Sequence, residues 1–242
     1  MTTGRVHSWD LSTGVDGPGT RFVLFLSGCP LRCLYCANPD TWHLRDGERV
    51  TADDVVSRIE RYRGFTDLAG GGVTLTGGEP LLQPAFTAEV LRACKERGLH
   101  TALDTSGALG ARADDALLAD TDLVLLDIKS FDADVYRRLT GGPLAPTLSF
   151  ATRLQRLGVP VWIRYVLVPG WTDDAAAVDG LARFLADLDN VDRVDVLPFH
   201  KLGAAKYDAL GIPFPLQDSP LPDVALVERV RDQFRARGLR AL

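Results

Sequence analysis

Three cysteines stand within eight residues, as Cys29-x-x-x-Cys33-x-x-Cys36. The thiolate is the form of cysteine that binds metal, and the short spacing lets one loop wrap a compact centre. A closed structural zinc site takes four ligands. A cubane iron–sulfur cluster usually takes four cysteines, one per iron. Three thiolates leave one iron without a protein ligand, and such an open position is where a small molecule can bind and react. Two plainer readings stand beside this one: a zinc knuckle completed by His43, and three core cysteines that share no ligand. The spacing from Cys29 to His43 is not a familiar zinc pattern. A disulfide framework fits poorly, because three of the four cysteines crowd into one loop of a long chain. The fourth, Cys94, lies in the helical pattern Leu91-Arg-Ala-Cys-Lys-Glu-Arg and reads as a small buried hydrophobe.

The loop follows an apolar run, Phe22-Val-Leu-Phe-Leu, the first of six expected strands. These are Arg21–Ser27, Gly72–Thr76, His100–Asp104, Asp122–Ile128, Pro160–Val168 and Arg193–Pro198. Seven helices are expected between and after them: Thr51–Arg63, Pro84–Arg97, Asp114–Ala119, Ala133–Leu139, Thr147–Leu157, Asp173–Leu188 and Pro222–Arg237. Leu123-Val-Leu-Leu is continuously apolar, as suits a strand covered on both faces of a parallel sheet. Alternating strands and helices predict an α/β fold with a parallel sheet. A complete eight-stranded barrel takes about 250 residues. The 242 residues therefore fit a partial (β/α)6 parallel barrel better. A single domain over 1–242 is expected, with a core at about 17–200 and a C-terminal extension at about 210–242.

In that architecture the polar motifs fall at the carboxyl ends of strands, where parallel α/β barrels gather their sites. They are the cysteine loop, Gly77-Gly78-Glu79-Pro80, Asp104-Thr105-Ser106-Gly107, Asp127-Ile128-Lys129, Val168-Pro-Gly-Trp171 and Pro198-Phe-His200. Two glycines in succession let main chain approach a ligand closely. Asp127 and Lys129 share a face by strand alternation, either as part of a site or as a structural ion pair. His200 reads equally as a site residue or as a capping histidine. Asp16-Gly-Pro-Gly19, before the first expected strand, reads as a turn.

Composition narrows the partners. Hydrophobic residues make up 46% and charged residues 24% of the chain, enough apolar content for a sizeable core. A net charge of −5 argues against nucleic acid, which favours a clustered basic surface. No apolar stretch approaches the roughly 20 residues that span a bilayer, so no membrane partner is expected. The first residues, Met1-Thr-Thr-Gly-Arg-Val-His, carry no apolar signal region, and the cytoplasm is the expected location.

The cysteine triplet with the aromatic Tyr35, followed by Gly-Gly-Glu-Pro, resembles the radical S-adenosylmethionine (SAM) superfamily. Further segments resemble its glycyl radical enzyme activating family, and within that family the pyruvate formate-lyase-activating enzymes. Among them are Gly4-Arg-Val-His-Ser, Val15-Asp-Gly-Pro-Gly with Arg21-Phe, Gly70-Gly-Gly-Val-Thr, Leu103-Asp-Thr, Val161-Trp-Ile-Arg-Tyr-Val, Val168-Pro-Gly-Trp-Thr-Asp-Asp and Leu197-Pro-Phe-His-Lys-Leu-Gly. The likeness runs from residue 4 to about 210. Ala37 stands where a histidine often follows the third cysteine, and the proline-rich tail after Leu210 departs from the pattern. Related activators for some other glycyl radical enzymes carry extra cysteines before the Gly-Gly-Glu turn. The 40 residues from Ala37 to Thr76 contain none, which favours the pyruvate formate-lyase type.

The resemblance implies a [4Fe-4S] cluster on Cys29, Cys33 and Cys36, with SAM on the unique iron. It implies reductive cleavage of SAM to a 5′-deoxyadenosyl radical, which takes a hydrogen atom from a glycine Cα of a partner protein. Tyr35 and Ala37 would line the adenine side of SAM. Gly77, Gly78 and Glu79 would contact its methionine amino end, and Lys129 its carboxylate. Ile128, Arg164 and His200 would lie near the cofactor. Asp104, Thr105, Asp127 and the Leu125 carbonyl would hold a monovalent cation, sodium or potassium. Asp16 would bind the glycine-bearing peptide. The implied partners are the glycine loop of pyruvate formate-lyase and reduced flavodoxin or a similar donor, with the activator a monomer. Two rival readings remain open on the sequence: a radical SAM enzyme with another substrate, and a metal-binding adaptor without catalysis.

Overall fold

The computed structural model describes residues 2–242. Its eight strands are β1 Thr3–Thr13, β2 Thr20–Leu26, β3 Glu48–Thr51, β4 Gly72–Gly77, β5 His100–Thr105, β6 Leu123–Asp127, β7 Val161–Leu167 and β8 Val191–Pro198. Its eight α-helices are α1 Ala52–Leu68, α2 Pro84–Glu96, α3 Asp115–Ala119, α4 Ala133–Thr140, α5 Ala145–Leu157, α6 Ala175–Ala186, α7 Ala204–Ala209 and α8 Val224–Arg235. The strands form one sheet in the order β3-β1-β2-β4-β5-β6-β7-β8, whose two ends do not pair. The six-stranded run expected from the sequence is present as β2 and β4–β8. Two further strands extend it: β1 runs antiparallel to both β2 and β3. The chain divides into two compact units, with the boundary falling inside β6.

The first unit holds the chain up to Pro30 together with Thr41–Thr105 and Leu109–Leu125. In it β2, β4 and β5 pair in parallel. Their side chains are buried on both faces: Phe22, Val23 and Leu24 of β2, Val73 and Leu75 of β4, Ala102 and Leu103 of β5. That explains the continuous apolar runs, which show no alternation for a solvent face. α1 begins at a capping box, Thr51 and Asp54 satisfying each other's main-chain amides. It buries Val55, Val56 and Ile59. α2 buries Phe86, Val90, Leu91 and Cys94. Burial raises the Cys94 thiol to about 12, as for the small hydrophobe the sequence predicts.

β1 is less regular. Trp9 stacks on Phe22 at 5.4 Å and lies 4.9 Å from the Tyr62 ring. The register slips between Val6 and Ser8, so the bulge breaks the period-2 pattern by which a strand is read from sequence.

The second unit holds Leu31–Asp40, Ser106–Ala108 and Leu126–Leu242. β7 and β8 pair in parallel, and β7 alternates buried and half-buried residues. Asp132, Asp174 and Asp223 cap α4, α6 and α8, each accepting a main-chain N–H of the first turn. The chain end lies along β8: Val194 N–H donates to the Arg240 carbonyl and Leu242 N–H to the Val194 carbonyl. This covers part of an exposed strand edge.

Candidate active site

Each unit carries part of the predicted set, and the cysteine loop crosses from one to the other at Pro30–Leu31. In the first unit, main-chain bonds build the start of the loop: Gly28 N–H donates to the Thr41 carbonyl at 2.6 Å and Cys29 N–H to Trp42 at 3.1 Å. The Gly77-Gly78-Glu79 turn is bonded to the same stretch. Gly78 N–H reaches the Leu26 carbonyl and Glu79 N–H the Gly28 carbonyl, both at 2.8 Å. The glycines are required there. Gly77 has φ +109, and a Cβ on Gly78 would run into the Gly28 carbonyl oxygen and lie 3.1 Å from that of Thr41. Because the obstacle is main chain, it yields only by moving the start of the cysteine loop. Gly78→Ala is expected to lose about 1–3 kcal/mol of stability by overpacking, measured by chemical denaturation.

Glu79 turns inward. It is fully buried, and its Oε1 accepts from Leu81 N–H at 3.1 Å and from the Thr105 hydroxyl at 2.6 Å. This carboxylate braces its own turn and ties it to the end of β5, a role the sequence reading missed. Asp104, on the opposite face of β5, accepts from the Thr76 hydroxyl at 2.7 Å. Asp16 sits apart from these groups. It precedes β2 whereas Cys29 follows it, and the strand between is 7 residues long. At about 3.3 Å per residue that is roughly 23 Å.

The Asp16–Gly19 turn is held from below by Arg21, whose side chain is fully buried. Arg21 donates to the Thr74 hydroxyl at 2.5 Å, to the carbonyls of Pro18 at 3.3 Å and His100 at 3.2 Å, and to that of Val73. Thr74 passes the contact on, donating to the Asp16 carbonyl at 2.6 Å. Gly17 lies on the arginine stem, where a Cβ would come within 2.7 Å of Cδ. Burial lowers the guanidinium to about 10, with Asp122 and Asp16 opposing the shift, so it stays charged at neutral pH.

In the second unit, Arg32 and Leu34 N–H donate to the carbonyls of Thr140 and Leu139 at the end of α4, and Cys36 N–H donates to Cys33. Lys129 pairs with Asp127 at 2.7 Å and lies 5.7 Å from the centroid of the Tyr35 ring. The shared face expected of Asp127 and Lys129 is therefore real, although Lys129 lies just past the end of β6. Burial opposes the charge on Lys129. Asp127, with Tyr35 and Cys33, outweighs it and holds the ammonium well above its usual range. Tyr35 and Cys33 are themselves raised by burial, Cys33 to about 11, so at neutral pH both are uncharged and Asp127 carries the effect. The Tyr35 hydroxyl is buried without a hydrogen-bond partner among the described residues. Ile128 is fully buried, its N–H donating to the Arg164 carbonyl. Ala37 and His200 are exposed, and His200 Nδ1 accepts from Leu202 N–H at 3.3 Å in the turn ahead of α7, whose N-cap is Gly203 without a side-chain bond.

The first unit carries Cys29 and the main chain opened by Gly77 and Gly78, and the second carries Cys33, Cys36 and a buried hydroxyl beside a lysine; these donor types suit a cluster and a polar ligand. Among the described residues, no three His, Cys, Asp or Glu side chains converge to hold a single metal ion. A cubane takes one thiolate per iron and spreads its ligands wider than a single ion does.

The radical SAM superfamily model matches residues 23–180, and the chain belongs to that superfamily. It is 46% identical over 230 residues, 92% of each chain, to the pyruvate formate-lyase-activating enzyme of Staphylococcus aureus strain USA300, and equally to that of strain NCTC 8325. Within the superfamily it therefore belongs to the family of pyruvate formate-lyase-activating enzymes. Among solved structures it resembles a domain of such an enzyme from Bacteroides vulgatus ATCC 8482, with TM-score 0.60 and 28% identity, over 71% of this chain and 98% of that one. A radical SAM methyltransferase from Sphaerobacter thermophilus shares the fold, with TM-score 0.66 and 21% identity over 100% of this chain and 76% of that one. Radical SAM enzymes use a [4Fe-4S] cluster and SAM.

Proposed function

We propose that this protein activates pyruvate formate-lyase by installing a glycyl radical on it. The 46% identity across 92% of the chain, joined to the intact cysteine triplet, carries the reading. When bound, the cluster and SAM supply a 5′-deoxyadenosyl radical able to take a hydrogen atom from a glycine Cα. Cys29, Cys33 and Cys36 hold the cluster. Burial keeps Cys33 protonated in the metal-free protein, so loading the site releases a proton. Tyr35 and Ala37 face the adenine of SAM. Lys129 keeps donors beyond the one it gives Asp127, and these meet the SAM carboxylate. Gly77 and Gly78 offer main chain to the amino end, with Glu79 bracing the turn from behind. His200 lies near the adenosine and Ile128 and Arg164 close to the SAM pocket, and Asp104, Thr105, Asp127 and the Leu125 carbonyl take a monovalent cation.

Asp16 binds the glycine-bearing peptide. Its place at the amino end of β2 suits a peptide better than a small molecule: roughly seven extended residues cover the length of that strand. The protein works as one domain over 1–242, with a core at about 17–200 and an extension at about 210–242. It acts as a cytoplasmic monomer with reduced flavodoxin or a similar donor. No helix among the described residues is long and apolar enough to cross a membrane.

Iron analysis and absorption spectra after anaerobic reconstitution test the reading against a structural adaptor. The expected protein is brown, with iron and sulfide bound, and cleaves SAM when reduced. A colourless, zinc-loaded protein would remove the radical chemistry. Lys129→Ala is expected to weaken SAM binding to the reconstituted protein by about 1.5–3 kcal/mol, the range for a charge-assisted hydrogen bond. An unchanged affinity takes Lys129 out of the site.

A further inference from the structure

The cysteine loop is fastened in two ways. Ahead of Cys36 the fastening is main chain: Arg32 and Leu34 bond to the end of α4. After Cys36 it comes from α7 and the residue before that helix. Lys206 Nζ donates to Asn38 Oδ1 at 2.8 Å and pairs with Asp40 at 3.0 Å. Gly203 lies so close that a Cβ there would be 3.0 Å from both the Cys36 carbonyl oxygen and the Ala37 Cα. Tyr207 is buried, and its hydroxyl faces the Cys36 main chain. Three residues of one short segment thus close on Cys36–Asp40 from a sequence distance of more than 160 residues.

We propose that Lys206 is a positioning residue for the metal centre, clamping the Asn38–Asp40 segment so that Cys36 is held in place as a ligand. The proposal rests on the reading that Cys36 ligates a cluster. A lysine suits the task because one ammonium carries three donors and can meet an amide oxygen and a carboxylate together. The pair is partly exposed, with the two side chains 40% and 26% accessible, so its contribution to global stability is small. Its effect falls instead on the loop, which has no helix or strand of its own between Leu26 and Pro39. A ligand on a loosened segment leaves its metal more often, and a chelator captures the metal when it does.

The test compares reconstituted wild type with Lys206→Met, which keeps the aliphatic stem and removes the donors, and with Lys206→Arg, which keeps charge and donors. First-order loss of iron to excess chelator is followed by absorbance, and thermal unfolding of each metal-free protein is measured in parallel. The expected result is iron loss about tenfold faster in Lys206→Met, with Lys206→Arg within about twofold of wild type and melting unchanged; tenfold corresponds to about 1.4 kcal/mol. Asp40→Asn, which weakens the same pair from the loop side, should shift the rate in the same direction. A wild type that holds its cluster and a Lys206→Met variant that loses iron no faster would overturn the clamp alone. A wild type that takes up no cluster would overturn the parent reading and the clamp with it.

Discussion

Replacing Cys33 by alanine is expected to abolish SAM cleavage. The substitution removes one of three thiolates from a loop in which no other cysteine stands, Cys94 being fully buried in α2. Two thiolates leave a second iron without a protein ligand, and assembly itself should fail. Cys33 lies between the Arg32 and Leu34 anchors to α4, so the loop backbone has reason to keep its course when the side chain is shortened. The variant should therefore fold, bind little iron and give no methionine from SAM under reducing conditions. Full turnover by Cys33→Ala would contradict the assignment of the triplet. A melting temperature near that of the metal-free parent would show that the loss is one of chemistry and not of fold.

Arg21→Met is expected to have the largest effect on stability. The arginine is fully buried among five polar atoms: the Thr74 hydroxyl, three carbonyls and, through Thr74, the Asp16 carbonyl. Methionine fills much of the space and returns the cost of burying a charge. It leaves buried acceptors without donors, at about 1–3 kcal/mol for each one left unsatisfied. A total loss of about 3 kcal/mol or more is expected, read as a lower denaturation midpoint at unchanged slope. The loss should also free the Asp16–Gly19 turn and weaken binding of a glycine-containing peptide. Stability within about 1 kcal/mol of wild type would show that the arginine is dispensable to the fold.

The strands most legible in the sequence were those buried on both faces. Leu123-Val-Leu-Leu and Phe22-Val-Leu-Phe-Leu became β6 and β2 with boundaries moved by a residue or two. Helices announced by an aspartate cap, such as α3, α4 and α6, were equally plain. β1 was not, because its bulge breaks the alternation and most of its side chains are only half-buried. Nor was β3, a four-residue strand that opens Glu48-Arg49. In the site, residue type and strand end were readable, but the direction of a side chain was not. Glu79 reads in the sequence only as a charge at a strand end, and in the structure it is a buried brace for its turn. Lys206 gave no signal: its partners lie far away in sequence, and nothing in Ala204-Ala-Lys-Tyr marks a contact with the cysteine loop.

The central claim, that a glycine of pyruvate formate-lyase receives the radical, is tested most directly by electron spin resonance. Reconstituted protein, SAM and a reductant are incubated anaerobically with pyruvate formate-lyase and, separately, with other glycyl radical enzymes. The account predicts a glycyl doublet on pyruvate formate-lyase that requires both SAM and the three cysteines. A protein that cleaves SAM yet leaves pyruvate formate-lyase without the doublet, while another partner acquires it, would contradict the account.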